Sequence, residues 1–236
     1  QRSGKGKQNV LYCLHACLDY AHKARRIPSM PAFPDKKSYN IVEPVIEWVN
    51  EERQRKILEA IPLEHQPILW FLKYHLRRPA EAMALRKEDF IESVFEIKRG
   101  FSAKVNIDRT KTGEIHLVPM VSEFERYLKS EQDKQKKHGI ISPYFFVNPQ
   151  GKKKGKHYTH VMLNNLWNKA CAKVGESIRL YAGTKHSSCS QLINEYGYDI
   201  HMVQMATDHA QLESVKRYAK TEVSARKALL EKKVMQ

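Results

Sequence analysis

Three short runs between residues 93 and 120 constrain the fold more than any other feature of the chain. SVFEIK (93–98), SAKVNID (102–108) and EIHLVPM (114–120) are rich in β-branched residues and bounded by turn residues, the pattern of strands. RTKTG, with Gly113 at the turn, joins the last two and predicts a hairpin between them. YFFVN (144–148) is a candidate for one further strand. Elsewhere the apolar residues recur at helical spacing. The expected fold class is therefore mainly α with a small antiparallel β-sheet (α+β).

The helical segments also suggest a boundary. Val10, Leu11, Leu14, Leu18 and Ala21 form a stripe over residues 8–25, and the proline-rich RIPSMPAFPDKKSYN that follows has no periodicity. One helix before a linker is too little for a domain. Residues 1–38 are thus expected to be the last helix of a truncated N-terminal domain plus its linker, with a second domain over 39–236. In that domain Asn50 is placed to cap a helix that opens with Glu51 and Glu52. HQPILWFLKYHL reads as the next helix, and Pro79 sits where another can start. Further helices are expected near 122–135, 158–174, 184–196, 200–206, 211–218 and 222–234.

Charge narrows the partner. Forty-one Lys and Arg against 26 Asp and Glu leave a net charge of +15 and a pI near 9.6, which favours a polyanion. The basic runs fall in expected loops, Lys152-Lys153-Lys154 and DKQKKHG. No apolar run is long enough for a membrane span, and the polar, basic start does not read as a signal peptide. Cys13 and Cys17 share helical spacing and read as small core residues, while Cys171 and Cys189 lack ligand spacing. Reduced thiols, no metal and no cofactor are expected.

Residues with chemistry then stand out in four places. Arg78 opens a helix with Glu81 three residues on. Lys111 lies at the hairpin turn. Lys185 and His186 sit together in GTKHSS, and His209 precedes Tyr218 in DHAQLESVKRY. Each alone has an ordinary structural explanation, such as a helix ion pair, a solvated turn lysine or a packing aromatic.

Taken in order, they resemble the tyrosine recombinase (phage integrase) family. LRRPAEAMAL resembles its first arginine box through Arg78, Pro79, Glu81 and Leu85. TKTGEIHLVPM resembles its lysine hairpin through Lys111 and Val118-Pro119, and MATDHAQLESVKRYAK resembles its terminal box through His209 and Tyr218. The helix and linker at the start are similar to the end of the preceding core-binding, DNA-clamping domain. One box departs from the pattern His-x-x-Arg-His. Here the run is Ala182-Gly183-Thr184-Lys185-His186, with Ala182 for the first histidine and Lys185 for the arginine. A lysine keeps the charge and loses the planar fork.

The resemblance implies a DNA breaking-rejoining catalytic domain with Tyr218 as nucleophile. A phenol of pKa near 10 needs cations or a base to attack at neutral pH. Arg78, Lys185 and His209 would hold the phosphate, with His186 beside them and Lys111 as general acid on the leaving oxygen. A 3′-phosphotyrosyl bond conserves the phosphodiester energy, so neither ATP nor metal is called for. Arg77, Lys152, Lys153, Lys154, Lys216 and Arg217 are expected on the backbone of double-stranded DNA carrying specific recombination sites. TEVSARKALLEKKVMQ reads as a helix with Val223, Leu230 and Val234 on one face, broken by Lys227. In such recombinases a terminal helix docks on the neighbouring protomer, which implies a tetramer on DNA; packing in cis is the alternative. The implied setting is the cytoplasmic nucleoid of a bacterium, or a phage or other mobile element. Two other readings stand beside this one. Ala182 and Lys185 suit a DNA-binding member of the fold with impaired catalysis. An RNA-binding module fits less well, since neither an RNP-like aromatic sheet motif nor a GXXG loop is present.

Overall fold

The computed structural model describes residues 4–34, 45–102, 105–110, 113–207 and 212–218. The chain divides into two compact units, Gln1–Val45 and Ile46–Gln236. In the first, the apolar stripe forms helix α1 (Gly4–Lys23). It ends in a Schellman turn: Arg25 takes φ 54°, and Arg26 N–H reaches back to Ala21 O at 2.8 Å. Cys13 and Cys17 are exposed, so the expectation that they are core residues does not hold. The spacing was helical, but they lie off the face of Leu11 and Leu18, which is partly covered.

The second unit begins with α2 (Glu51–Glu59), capped as expected by Asn50, whose side chain accepts from Arg53 N–H at 2.9 Å. Helix α3 (Gln66–Tyr74) is buried along nearly its whole length and forms the axis of the core. Phe71 lies at the centre, with Phe95, Phe124 and Phe146 rings 5.1 to 5.7 Å away. Short helix α4 (Pro79–Ala84) follows, then β1 (Phe90–Ile91), β2 (Val94–Ile97), β3 (Gly100–Ser102), β4 (Val105–Ile107) and β5 (His116–Pro119). Helices α5 (Glu125–Lys137), α6 (His160–Lys173), α7 (Ser187–Asn194), α8 (Ile200–Thr207) and α9 (Leu212–Lys216) complete the described order. A π-helical turn, Ala182–His186, runs directly into α7.

Strand pairing differs from the sequence expectation. The run at 102–108 does not pair with 114–120. Instead β4 pairs antiparallel with β3, and β5 pairs with β2 in a sheet ordered β1-β2-β5. Burial explains the choice. Phe95 and Ile97 face inward from β2, and the observed register sets them opposite Val118 and His116, the buried positions of β5. Val105 on β4 is exposed and offers no such face. The β1–β2 turn puts Glu92 and Ser93 at φ 48° and 64°, the both-positive geometry of a two-residue hairpin, without the usual glycine.

YFFVN is not a strand. Only isolated bridges, Arg86 with Tyr144 and Val147 with His157, touch it. Its backbone is satisfied largely by side chains of α5: Gln135 Nε2 donates to Phe145 O at 2.9 Å and Lys134 Nζ to Val147 O at 2.9 Å. Phe145 N–H bonds to Leu85 O at 2.9 Å. A buried strap need not join a sheet when its polar groups are met in this way. A second, smaller apolar cluster gathers Leu76, Cys189, Val203, Val215 and Tyr218, with Leu192, Ile193 and Ile200 packed against it. This cluster positions the end of α9.

Candidate active site

Arg78 is the N-cap residue of α4, in extended conformation with Pro79 at the first helical position. Glu81 meets it twice: Arg78 N–H donates to Oε2 at 2.9 Å and Arg78 Nη1 to Oε1 at 2.7 Å. Burial alone would raise the Glu81 carboxyl, but the charge and hydrogen bonds of Arg78, with Lys185 adding, hold it below the usual range. Glu81 is thus a buried carboxylate that aims the arginine. The Arg78 guanidinium also interacts electrostatically with the Tyr181 phenol.

Arg77, expected on the DNA-facing surface, is elsewhere. Its side chain is buried, donating from Nε to His75 O at 2.6 Å and from Nη2 to Ala206 O at 2.8 Å. It ties the approach to α4 to the end of α8. Two adjacent arginines look alike in sequence, but the helix start sends one inward and the other to the site.

The π-helical turn carries Lys185 and His186. Lys185 is 0% exposed, and its Nζ has no hydrogen-bond partner among the described residues. Burial and the positive charge of Arg78 push it down to about 8, against the pull of Glu81. His186, held down to about 4 by burial and by the charges of Arg217 and Lys185, is a neutral imidazole at physiological pH. Its ring stands edge-on to Tyr181 at 4.5 Å and lies 5.5 Å from the ring of Tyr218.

Tyr218 follows α9 and is 5% exposed. Its N–H bonds to Val215 O at 2.8 Å, and its carbonyl accepts from Asn194 Nδ2 at 3.0 Å. Burial, with Cys189 and Tyr181 adding, raises the phenol well above its usual value, while Arg78 and Arg217 pull it down. Beneath it the Cys189 thiol is pushed up to about 12 by burial and is inert at neutral pH.

Arg78, Lys185, His186 and Tyr218 therefore meet in one place, although they span residues 78 to 218. Lys111 and His209 lie outside the described residues, as does the tail expected to be helical at 222–234. Lys152, Lys153 and Lys154 are exposed around the short turn Gly151–Lys153, away from these contacts. Arg217 and Lys216 are exposed too, with Lys216 paired to Glu213 at 2.6 Å. No group of three His, Cys, Asp or Glu suited to a metal occurs among the described residues. Likewise no helix among them is long and apolar enough to cross a membrane.

One contributor escaped the sequence reading. Gln54 on α2 is 0% exposed and its amide reaches the backbone of the π-helical turn. The available signal was a polar residue at the spacing of Ile57 and Leu58, on the inward face of the helix.

The model of the phage integrase family matches residues 47–224. Among solved structures, the Tn1549 transposon integrase in complex with a circular intermediate DNA superimposes with a TM-score of 0.74 at 17% identity, covering 98% of this chain and 80% of that one. XerA recombinase gives 0.60 at 19% identity over 88% of this chain and 68% of its own. XerH site-specific recombinase bound to palindromic difH substrate gives 0.61 at 18% over 78% and 52%. At such identities the likeness is one of fold. No curated protein matches the chain.

Proposed function

The chain belongs to the phage integrase family, and from that premise we propose that it breaks and rejoins double-stranded DNA at specific sites with Tyr218 as the nucleophile. The supporting observation is that the His186 ring lies 5.5 Å from the Tyr218 ring while Arg78, from a separate segment, acts electrostatically on both Tyr218 and Lys185. In the proposed reaction the Tyr218 oxygen attacks the scissile phosphorus. The bond to the 5′ oxygen breaks, and that oxygen leaves with a proton. A 3′-phosphotyrosyl ester remains until the 5′-hydroxyl of a second strand attacks it and releases the phenol.

Each described residue has a task in this scheme. Arg78, held by Glu81, presents a guanidinium to the non-bridging oxygens as their charge grows. Lys185 adds a point charge where a fork would be expected, and the phosphate would supply the partner its Nζ lacks among the described residues. His186, neutral and against the Tyr218 ring, is placed to take the phenol proton once the charge of a bound phosphate offsets the burial and cations that hold its pKa down. Lys111 as general acid and His209 as a further phosphate contact complete the proposal. So does assembly of four protomers on DNA through the tail. The solved relatives include integrase and recombinase complexes with their DNA.

A second reading has its own observation: Ala182 offers no side chain for proton transfer, and Lys185 is buried rather than displayed. On that reading the protein binds DNA without cutting it. Incubation with a nicked suicide duplex containing its recombination site separates the two on a denaturing gel. A covalent adduct that disappears in Tyr218→Phe is the expected result. An adduct that survives the substitution moves the nucleophile elsewhere, and no adduct from the unaltered chain favours the non-cutting reading.

A further inference from the structure

We propose that Gln54, on α2 and outside every motif of the site, positions Lys185 for strand cleavage, and that Lys73 fixes which way the Gln54 amide faces. This rests on the reading of Lys185 as a phosphate ligand. Gln54 Nε2 donates to Gly183 O at 2.9 Å and lies 3.2 Å from Thr184 O and 3.0 Å from Ser188 Oγ. Lys73 Nζ donates to Gln54 Oε1 at 2.9 Å and pairs with Glu51 at 3.3 Å. An ammonium only donates, so the Gln54 atom facing Lys73 is its oxygen and both amide hydrogens are left for the turn.

The carbonyls concerned are the ones that matter to Lys185. Thr184 O shares a rigid peptide plane with Lys185 N, so holding the carbonyl holds the start of the lysine. Other carbonyls near the turn are met locally: Thr184 Oγ1 donates to Leu180 O at 2.7 Å and Ser187 Oγ to Ala182 O at 2.7 Å. Gly183 O and Thr184 O also take the Gln54 amide from α2, across 129 and 130 residues of sequence, and Thr184 O shares it with the N–H of Ser187. The Lys185 ammonium has no hydrogen bond of its own among the described residues, so its place is set by this backbone and by packing. Arg78, Arg77, Glu81 and Cys189 are the titratable groups around it.

The test uses the full chain and reads two quantities. One is the single-turnover rate of adduct formation on a suicide duplex. The other is the titration midpoint of Lys185 in DNA-free protein, followed by NMR of isotope-labelled lysine. Gln54→Met is expected to slow cleavage roughly ten- to a hundredfold with little change in DNA affinity, the usual cost of a misplaced charge. It should also raise the Lys185 midpoint toward that of a solvated lysine. Lys73→Met, which leaves the turn uncut but frees the amide to flip, should move both in the same direction and serves if Gln54→Met does not fold. An unchanged Lys185 midpoint overturns the proposal whatever the rate does, because Gln54 would then contribute stability alone. Absence of adduct from the unaltered chain is a failure of the cleavage reading instead, and the titration, which needs no DNA, still decides the role of Gln54.

Discussion

Burial of the charged Lys185 should destabilise the DNA-free protein at neutral pH, as the direction of its pKa shift requires. Its pKa falls from an ordinary 10.5 to about 8 on folding. Below pH 8 both folded and unfolded chains hold the proton, so the folded state carries the whole desolvation penalty. Between about 8 and 10.5 the unfolded chain binds more protons, so stability rises with pH, and above that window the penalty is gone. The shift corresponds to roughly 3 kcal/mol at pH 7. Lys185→Met should therefore raise the melting temperature at pH 7, lose most of that advantage by pH 10, and remove cleavage. Thermal melts at the two pH values check it, and a lower melting temperature at pH 7 would contradict it. Arg78 and Tyr218 stand out as candidates in the sequence because each sits in a short motif. Arg77 was misread because nothing local distinguishes an arginine that turns inward onto carbonyls from one that turns out.

The π-helical turn is the element on which the site depends, and it is packed without slack. A Cβ on Gly183 would lie 2.2 Å from Trp167 Cζ2 and 3.0 Å from Cε2 and Cη2. Trp167 cannot yield easily, being 0% exposed and anchored from Nε1 to Ile178 O at 2.8 Å. Gly183→Ala should cost about 1–3 kcal/mol in urea unfolding, the range for overpacking. It should also lower the cleavage rate of the protein that remains folded. A neutral effect on both would mean that the turn can shift. Most helices were legible, because apolar spacing and caps such as Asn50 act locally. The strand partners and the π-helical turn were not, since β5 chose β2 by matching buried faces and the turn by fitting under Trp167.

At the scale of the whole molecule, the charge of +15 should govern how tightly DNA is held. Replacing Lys152, Lys153 and Lys154 together with Gln should weaken binding alike on specific and unrelated duplexes. If all of them contact phosphates, the slope of log K against log salt should flatten by about 2–3. Binding titrations at several salt concentrations measure this. A slope that does not change would place these lysines away from the DNA.

The sequence by itself determined the fold class, the family and the order in which the candidate site residues arrive. These follow from local periodicity and from motifs that keep chemical groups at set spacings. Tertiary structure alone decided that Arg77 turns inward onto carbonyls, how far Lys185 and Tyr218 are buried, and that the Gln54 amide meets the π-helical turn. Those outcomes depend on contacts between residues more than a hundred positions apart, where desolvation and hydrogen bonding are set by what the folded chain brings alongside.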